Sequence, residues 1–209
     1  WVGDGGTYDI GFQALSAAAE RNDNIIHFCY NNEAYSNTGM QRSGATPRHC
    51  YTTTTPGGKL QPKKNVPLLM LEHNVPYVAT ASLAFPGDLY DKVMKAKSMK
   101  GFKYIEIFAP CFTGWQFPSS DTVDISRMAV KTGAWLLWEA EYGKMKFSPA
   151  TERIVNGKVP RQPIDQYLCR QGRFNRLLKN SEEASAIIEE IQGDIDREIE
   201  FMRKRAEIS

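Results

Sequence analysis

No Cys-x-x-Cys pair occurs in this 209-residue sequence, and its four cysteines, Cys29, Cys50, Cys111 and Cys169, are widely scattered. Their spacing alone specifies neither a zinc centre nor a disulfide framework. The expectation is a reducing, cytoplasmic compartment. No apolar run approaches the roughly 18 residues that suggest a membrane span. Charge of either sign is scarce in surplus: 26 basic residues face 24 acidic ones, interspersed, for a net charge of +2. Nothing in that balance calls for nucleic acid or an anionic membrane as a partner. No signal peptide, internal repeat or initiating Met is visible. The chain opens on Trp1-Val2, and Val2 reads as the last residue of a buried strand, so the expectation is a fragment or processed piece.

What is there alternates. Thr7 to Arg21 carries Ile10, Ala14, Leu15, Ala17 and Ala18 with the period of an amphipathic helix, ended by Asn22-Asp23-Asn24. Ile25 to Tyr30 is a short, mostly apolar run, which reads as a strand buried on both faces of a parallel sheet. Val66–Glu72 reads as a helix and Tyr77–Ala81 as a strand. Pro86–Met99 reads as a helix with Leu89, Val93, Met94 and Ala96 inward, and Tyr104–Phe108 as another strand. The pattern predicts an α/β domain, three layers around a parallel sheet, over residues 1–140. Arg42 to Lys64 lacks periodicity, and a loop of that length is expected to be functional or covered by another chain. Residues 141–209 are expected to form a C-terminal arm and helix. Glu141 to Arg161 is polar and Pro/Gly-punctuated, with a turn at Asn156-Gly157, and reads as extended. Asn180 to Ala206 reads as a long helix with Asn180 as N-cap, Glu183 three residues on, and a stripe of Ile187, Ile188, Ile191, Ile195, Ile199 and Met202. That stripe packs either on its own domain or on a partner subunit.

The chemistry concentrates at the predicted carboxyl ends of strands, where open α/β sheets bind ligands. Gly3-Asp4-Gly5, Asn31-Asn32 and Pro110-Cys111 all lie there. Glycines after a strand let backbone N–H groups approach a phosphate. Mg²⁺ takes about six oxygen ligands, often one or two protein side chains plus phosphates and water. Asp4 offers a carboxylate, Asn32 an amide carbonyl, and a nearby main-chain carbonyl could complete the protein's share. The residues point to a magnesium–diphosphate site without identifying the rest of the cofactor.

Gly-Asp-Gly, twenty-five residues, then Asn-Asn resembles the thiamine diphosphate fingerprint. Asn32-Glu33-Ala34-Tyr35-Ser36-Asn37-Thr38-Gly39-Met40-Gln41, with Ala45-Thr46-Pro47 and Thr52 to Pro56, is similar to the β subunit of pyruvate:ferredoxin oxidoreductase and its 2-oxoacid relatives. Ala109-Pro110-Cys111, Thr113-Gly114-Trp115 and Gln171-Gly172-Arg173-Phe174 fit the same family, so the similarity spans roughly Trp1 to Leu178. The resemblance implies that Asp4, Asn32 and the Ala34 carbonyl hold Mg²⁺ and that Gly3, Gly5 and Gly6 line the diphosphate. It also puts Thr38 in the cofactor site, and Asn37 near the thiazolium as the catalytic residue stabilising developing charge. Cys111 would ligate a [4Fe–4S] cluster whose other thiolates lie outside this segment. The glutamate that activates the aminopyrimidine belongs, in the family, to a partner. The implied activity is oxidative decarboxylation of a 2-oxoacid, pyruvate first among the candidates, to acyl-CoA and CO₂ with electrons passed to ferredoxin. The implied partners are an α subunit and further γ and δ subunits. The acyl group stays open among pyruvate, branched-chain or aromatic 2-oxoacids, and oxalate. Two alternatives stand beside this: a non-catalytic α/β interaction subunit, and a thiamine-dependent decarboxylase without a cluster.

Overall fold

The computed structural model describes residues 1–175, 178–179 and 181–209. Asn180, the expected N-cap of the last helix, lies outside the described residues. Four strands run parallel in the order β1 (Val2–Gly3), β2 (Ile26–Asn31), β4 (Lys103–Phe108), β3 (Tyr77–Ser82). Their register sets Gly3 beside Tyr30, and Asn31 and Ser82 beside Phe108, so the carboxyl ends share one edge of the sheet.

The sheet is not parallel throughout. β5 (Trp138–Glu141) joins β3 antiparallel, and β6 (Lys144–Phe147) pairs antiparallel with β5, giving six strands. The stretch expected to be extended from Glu141 to Arg161 is therefore corrected: it holds β6 and a helix, α6 (Pro149–Val155). The cause is local. Tyr142 (φ 48°) and Gly143 (φ 84°) both adopt positive φ, the two-residue hairpin turn whose twist matches its strands. The expected turn at Asn156-Gly157 is present.

β3 and β4 are buried along their whole lengths. One sheet face packs Val78 and Tyr104 against α1 (Phe12–Glu20) and α2 (Val66–Glu72), through Leu15, Ala19, Val66, Met70 and Leu71. The other packs Ala79, Ala81, Ile105 and Ile107 against Ala96 of α3 (Pro86–Ser98). Helix, sheet, helix is the expected three-layer α/β order. β2 departs from its expected burial: Tyr30 is 45% exposed and only Cys29 and Asn31 are fully covered.

Ile10, Ala14 and Met94, expected on inward faces, are exposed. Gly6–Ile10 winds as a wider turn in which Gly11 N donates to the Gly6 carbonyl at 2.7 Å, an i→i+5 bond. That extra residue rotates Ile10 into solvent, and α1 begins only at Phe12. In α3, Lys92 faces inward and Met94 outward. Lys92 Nζ donates to the Thr80 carbonyl (2.8 Å), Asp88 (2.6 Å) and Ser148 Oγ (2.7 Å), fastening α3 to β3 and to the residue after β6. A buried amine needs such partners, and here they are supplied.

Beyond β4 come α4 (Phe112–Trp115), α5 (Thr122–Thr132), α7 (Ile164–Leu168) and α8 (Gly172–Asn175). Gly133, at φ 83°, ends α5 in the left-handed conformation glycine favours. The last helix, α9 (Ser181–Ile208), packs on its own chain. Ile195 joins a core with Trp135, Leu137, Ile164 and Tyr167, and Met202 one with Leu136, Trp138 and Met145. No described helix is long and apolar enough to cross a membrane.

Candidate cofactor site at the carboxyl ends of the first two strands

Eight of the residues singled out from sequence come together. Gly3, Asp4, Gly5, Gly6, Asn32, Ala34, Asn37 and Thr38 line one cavity of about 210 Å³, with Tyr30, Tyr35 and Ser36 completing the wall. β1 delivers the first four and the segment after β2 the rest, because these two strands are neighbours in register. Cys111 does not line the cavity. It precedes α4, half-buried, with Sγ accepting from Gly114 N at 3.4 Å.

Asp4 is one of the lining residues and is fully buried. Its Oδ2 accepts from Ser43 Oγ at 2.5 Å and its Oδ1 from Asn32 N at 3.2 Å. Burial pushes the carboxyl up to about 7, although both hydrogen bonds pull the other way. No cation of the chain pairs with it among the described residues. A divalent ion would reverse that balance by favouring the carboxylate.

The two asparagines divide the labour. Asn31 is a bracket: its Nδ2 donates to Glu106 at 2.6 Å and its Oδ1 accepts from Glu33 N at 2.8 Å. Glu106 is buried and also accepts from Tyr8 (2.6 Å) and Tyr104 (2.7 Å). Asn32 is the residue that lines the cavity, and its Oδ1 accepts from Ala34 N at 3.2 Å. Between Asn32 and Ala34, Glu33 adopts φ 61°, a left-handed conformation uncommon outside glycine.

Tyr35 closes one side. Its hydroxyl donates to the Gly5 carbonyl (3.0 Å) and approaches Asp9 Oδ2 (3.3 Å). A Cβ on Gly5 would stand 2.4 Å from the Tyr35 ring, so close packing by itself demands glycine there. Ser36 Oγ is buried and has no hydrogen-bond partner among the described residues, an orphaned group in the cavity wall that a bound ligand could satisfy. Asn37 and Thr38 are exposed on the rim. The Thr38 hydroxyl is engaged by Gln41 Oε1 at 2.5 Å, whereas the Asn37 amide has no partner among the described residues.

A hard oxygen set around a buried carboxylate suits a divalent cation with phosphate and water as further ligands. No group of three or more His, Cys, Asp or Glu side chains among the described residues could hold a metal alone. A cation at Asp4 therefore depends on amide and carbonyl oxygens, and Cys111 is at most one ligand of a cluster. Sequence reasoning passed over Tyr35, Ser36 and Ser43 as site residues. Ser36 had a signal, since it directly precedes Asn37; Ser43 had none, because its contact with Asp4 crosses 39 residues.

The long loop from Arg42 to Lys64 lies against its own chain, with Ser43, Ala45, Thr46, Cys50 and Lys59 buried. Thr46 Oγ1 donates to the Glu33 carbonyl (2.6 Å) and Lys59 Nζ to the Thr46 carbonyl (2.5 Å). It reaches the site through Ser43, whose hydroxyl donates to Asp4.

The family described as "Thiamine pyrophosphate enzyme, C-terminal TPP binding domain" matches residues 1–107. Pyruvate synthase subunit PorB of Methanothermobacter marburgensis is 48% identical over 204 residues, covering 95% of this chain and 67% of that protein. Ketoisovalerate oxidoreductase subunit VorB of Pyrococcus abyssi is 43% identical over 213 residues, covering 100% and 65%. The chain thus spans about two thirds of the length of these relatives. Among solved structures it resembles a 2-oxoglutarate:ferredoxin oxidoreductase from Magnetococcus marinus with 2-oxoglutarate, coenzyme A and succinyl-CoA bound. That match has a TM-score of 0.53 and 32% identity, over 59% of this chain and 42% of the other. With the family match covering half the chain and the relatives nearly all of it, the chain belongs to the PorB/VorB family, the thiamine-diphosphate-binding β subunits of 2-oxoacid:ferredoxin oxidoreductases.

Proposed function

We infer that this chain supplies the thiamine diphosphate and Mg²⁺ site of a 2-oxoacid:ferredoxin oxidoreductase. The observation that carries this reading is the buried, cation-free Asp4 carboxylate in a cavity that also gathers Asn32, Ala34 and the strand-end glycines. Asp4, the Asn32 amide oxygen and the Ala34 carbonyl hold the cation, and Gly3, Gly5 and Gly6 line the diphosphate. Residues 1–140 carry the cofactor, and residues 141–209 complete its support. When bound, thiamine diphosphate supplies the nucleophilic carbon and the electron sink that decarboxylation of a 2-oxoacid requires.

The residues of this chain bind, orient and stabilise. Asn37, free on the cavity rim, donates its amide N–H to the substrate carbonyl oxygen as negative charge develops there. Tyr35 and Ser36 close the inner wall against water. Cys111 contributes one thiolate to a [4Fe–4S] cluster whose remaining ligands come from outside this segment. The expected overall conversion takes a 2-oxoacid to acyl-CoA and CO₂ with reduction of ferredoxin. The PorB relative supports pyruvate as the substrate, and the family resemblance implies an α subunit, with γ and δ subunits, as partners. Four free thiols suit a reducing, cytoplasmic location.

The test uses the assembled, purified complex. Isothermal titration with thiamine diphosphate and Mg²⁺ should give saturable binding, iron and acid-labile sulfide should be present, and pyruvate with coenzyme A should reduce ferredoxin with release of CO₂. A complex that binds no thiamine diphosphate would end this reading. A complex that binds it but holds no iron would be a decarboxylase without a cluster.

A further inference from the structure

Arg173 lies 140 residues from the Asn-Asn turn in sequence yet is buried against it, 1% exposed. Its Nη2 donates to Glu33 Oε2 at 2.6 Å, a carboxylate that is itself 4% exposed. The guanidinium carbon sits over the Trp115 ring, 3.4 Å from its centre, and Nε donates to Gln171 Oε1 at 2.9 Å. Trp115 Nε1 in turn donates to the Asn32 carbonyl at 2.8 Å. Arg173 therefore grips both sides of one peptide turn: Glu33 through its carboxylate, Asn32 through Trp115.

The turn needs holding. Glu33 stands at φ 61° with a side chain on its Cβ, a conformation that costs on the order of 1 kcal/mol and persists where surrounding contacts over-determine it. Its two neighbours, Asn32 and Ala34, line the same cavity as Asp4, and Asn32 N donates to Asp4 Oδ1 at 3.2 Å. A change of φ at Glu33 would swing Asn32 and Ala34 relative to one another, and with them the two oxygens expected to hold the cation.

Fold stability alone is a weak reason for such a pair. Burying a guanidinium and a carboxylate costs several kcal/mol of desolvation, and apolar residues of similar volume often stabilise as well or better. Here the cost is only partly offset, because Arg173 Nη1 is buried with no hydrogen-bond partner among the described residues. What an apolar pair cannot supply is direction: the Nη2–H bond to Oε2 fixes where the Glu33 carboxylate sits, and the Gln171 bond and the Trp115 ring fix the guanidinium.

We propose that Arg173, acting through Glu33 and stacked on Trp115, is a positioning residue that holds the Asn32–Ala34 turn in its cation-binding shape. This rests on the reading of the cavity as a thiamine diphosphate and Mg²⁺ site.

The test is a double-substitution cycle in the assembled complex, read as the Kd for thiamine diphosphate at fixed Mg²⁺ by isothermal titration, well below each variant's melting transition. Arg173→Met leaves a buried carboxylate unpaired, so Glu33→Gln/Arg173→Met is the companion that removes both charges and keeps the volume. Both single variants and the double variant should bind at least about tenfold more weakly, and the double variant should be no worse than Arg173→Met. Arg173→Lys, with charge but no fork or stack, should fall between. As a second readout, Mn²⁺ in place of Mg²⁺ should bind more weakly in the double variant by electron paramagnetic resonance. A double variant that binds both ligands within about twofold of the wild type would overturn the inference and reduce the pair to packing. A wild-type complex that binds neither ligand would instead sink the cofactor reading beneath it.

Discussion

Replacing Asp4 with asparagine should move two measurable quantities in opposite directions. In the metal-free protein, Asp4 has no exposed surface and two donors, Ser43 Oγ and Asn32 N, with no cation opposite. Burial raises its carboxyl from the usual 3.8 to about 7. The sign follows from proton counting. The unfolded chain releases this proton near pH 4 and the folded protein near pH 7, so between those values the unfolded state binds fewer protons. The stability contribution of Asp4 therefore falls as pH rises through that window and is constant above it. A shift of about three units corresponds to at most about 4 kcal/mol lost above pH 7. Asn keeps the side chain's shape and removes the charge, at the cost of Ser43 turning its hydroxyl to accept from the introduced amide. The net gain should be about 1–3 kcal/mol at pH 8. Thermal melts of chelator-treated protein at pH 5 and pH 8 should find Asp4→Asn more stable at pH 8, with the difference shrinking at pH 5. Adding Mg²⁺ and thiamine diphosphate at about a hundredfold excess over Kd should stabilise the wild type by about 2.7 kcal/mol and leave the variant unmoved. An Asp4→Asn protein that melts below the wild type at pH 8 without metal, or that gains the same cofactor-dependent shift, would refute the argument.

Gly5→Ala puts a methyl group 2.4 Å from the Tyr35 ring, so it should destabilise by about 1–3 kcal/mol through overpacking, read by denaturant melts. Pairing it with Tyr35→Ala should recover part of that loss, because Gly5 has ordinary helical dihedrals (φ −59°), and no recovery would mean that the clash with the ring is not the cause. Asn37→Ala touches a side chain with no internal partner, so melting should be unchanged while kcat falls by about 10²-fold with cofactor content retained. Wild-type turnover would make Asn37 a turn residue. In the assembled complex Cys111→Ser should lose or alter one cluster signal in low-temperature electron paramagnetic resonance, because serine is a poor substitute for a soft thiolate on iron. It should slow ferredoxin reduction more than the first decarboxylation, and an unchanged spectrum would return Cys111 to the core.

Local signals carried much of this protein. Alternating apolar runs and turn residues were enough to set out β2, β3, β4, α2 and α3 to within a residue or two, because strand and helix periods are written into consecutive positions. Gly3-Asp4-Gly5 and Asn31-Asn32 marked the cavity for the same reason: both sit where an apolar run stops, and adjacent strands bring their ends together. The failures share another origin. Ile10 faces water and Lys92 the interior because an i→i+5 turn and a set of partners on three elements rotate their helices, and periodicity cannot see either. The β5–β6 hairpin lengthens the sheet by pairing with β3 across some sixty residues of sequence. Only the tertiary structure decided that α9 packs on its own chain, that Ser43 bonds to Asp4, and that Arg173 meets Glu33 across 140 residues. Composition and short-range order determine which residue types stand at which strand end. Whether a buried carboxylate there meets a hydroxyl, a guanidinium or no cation at all is set by chain closure over long separations, and no window of sequence contains it.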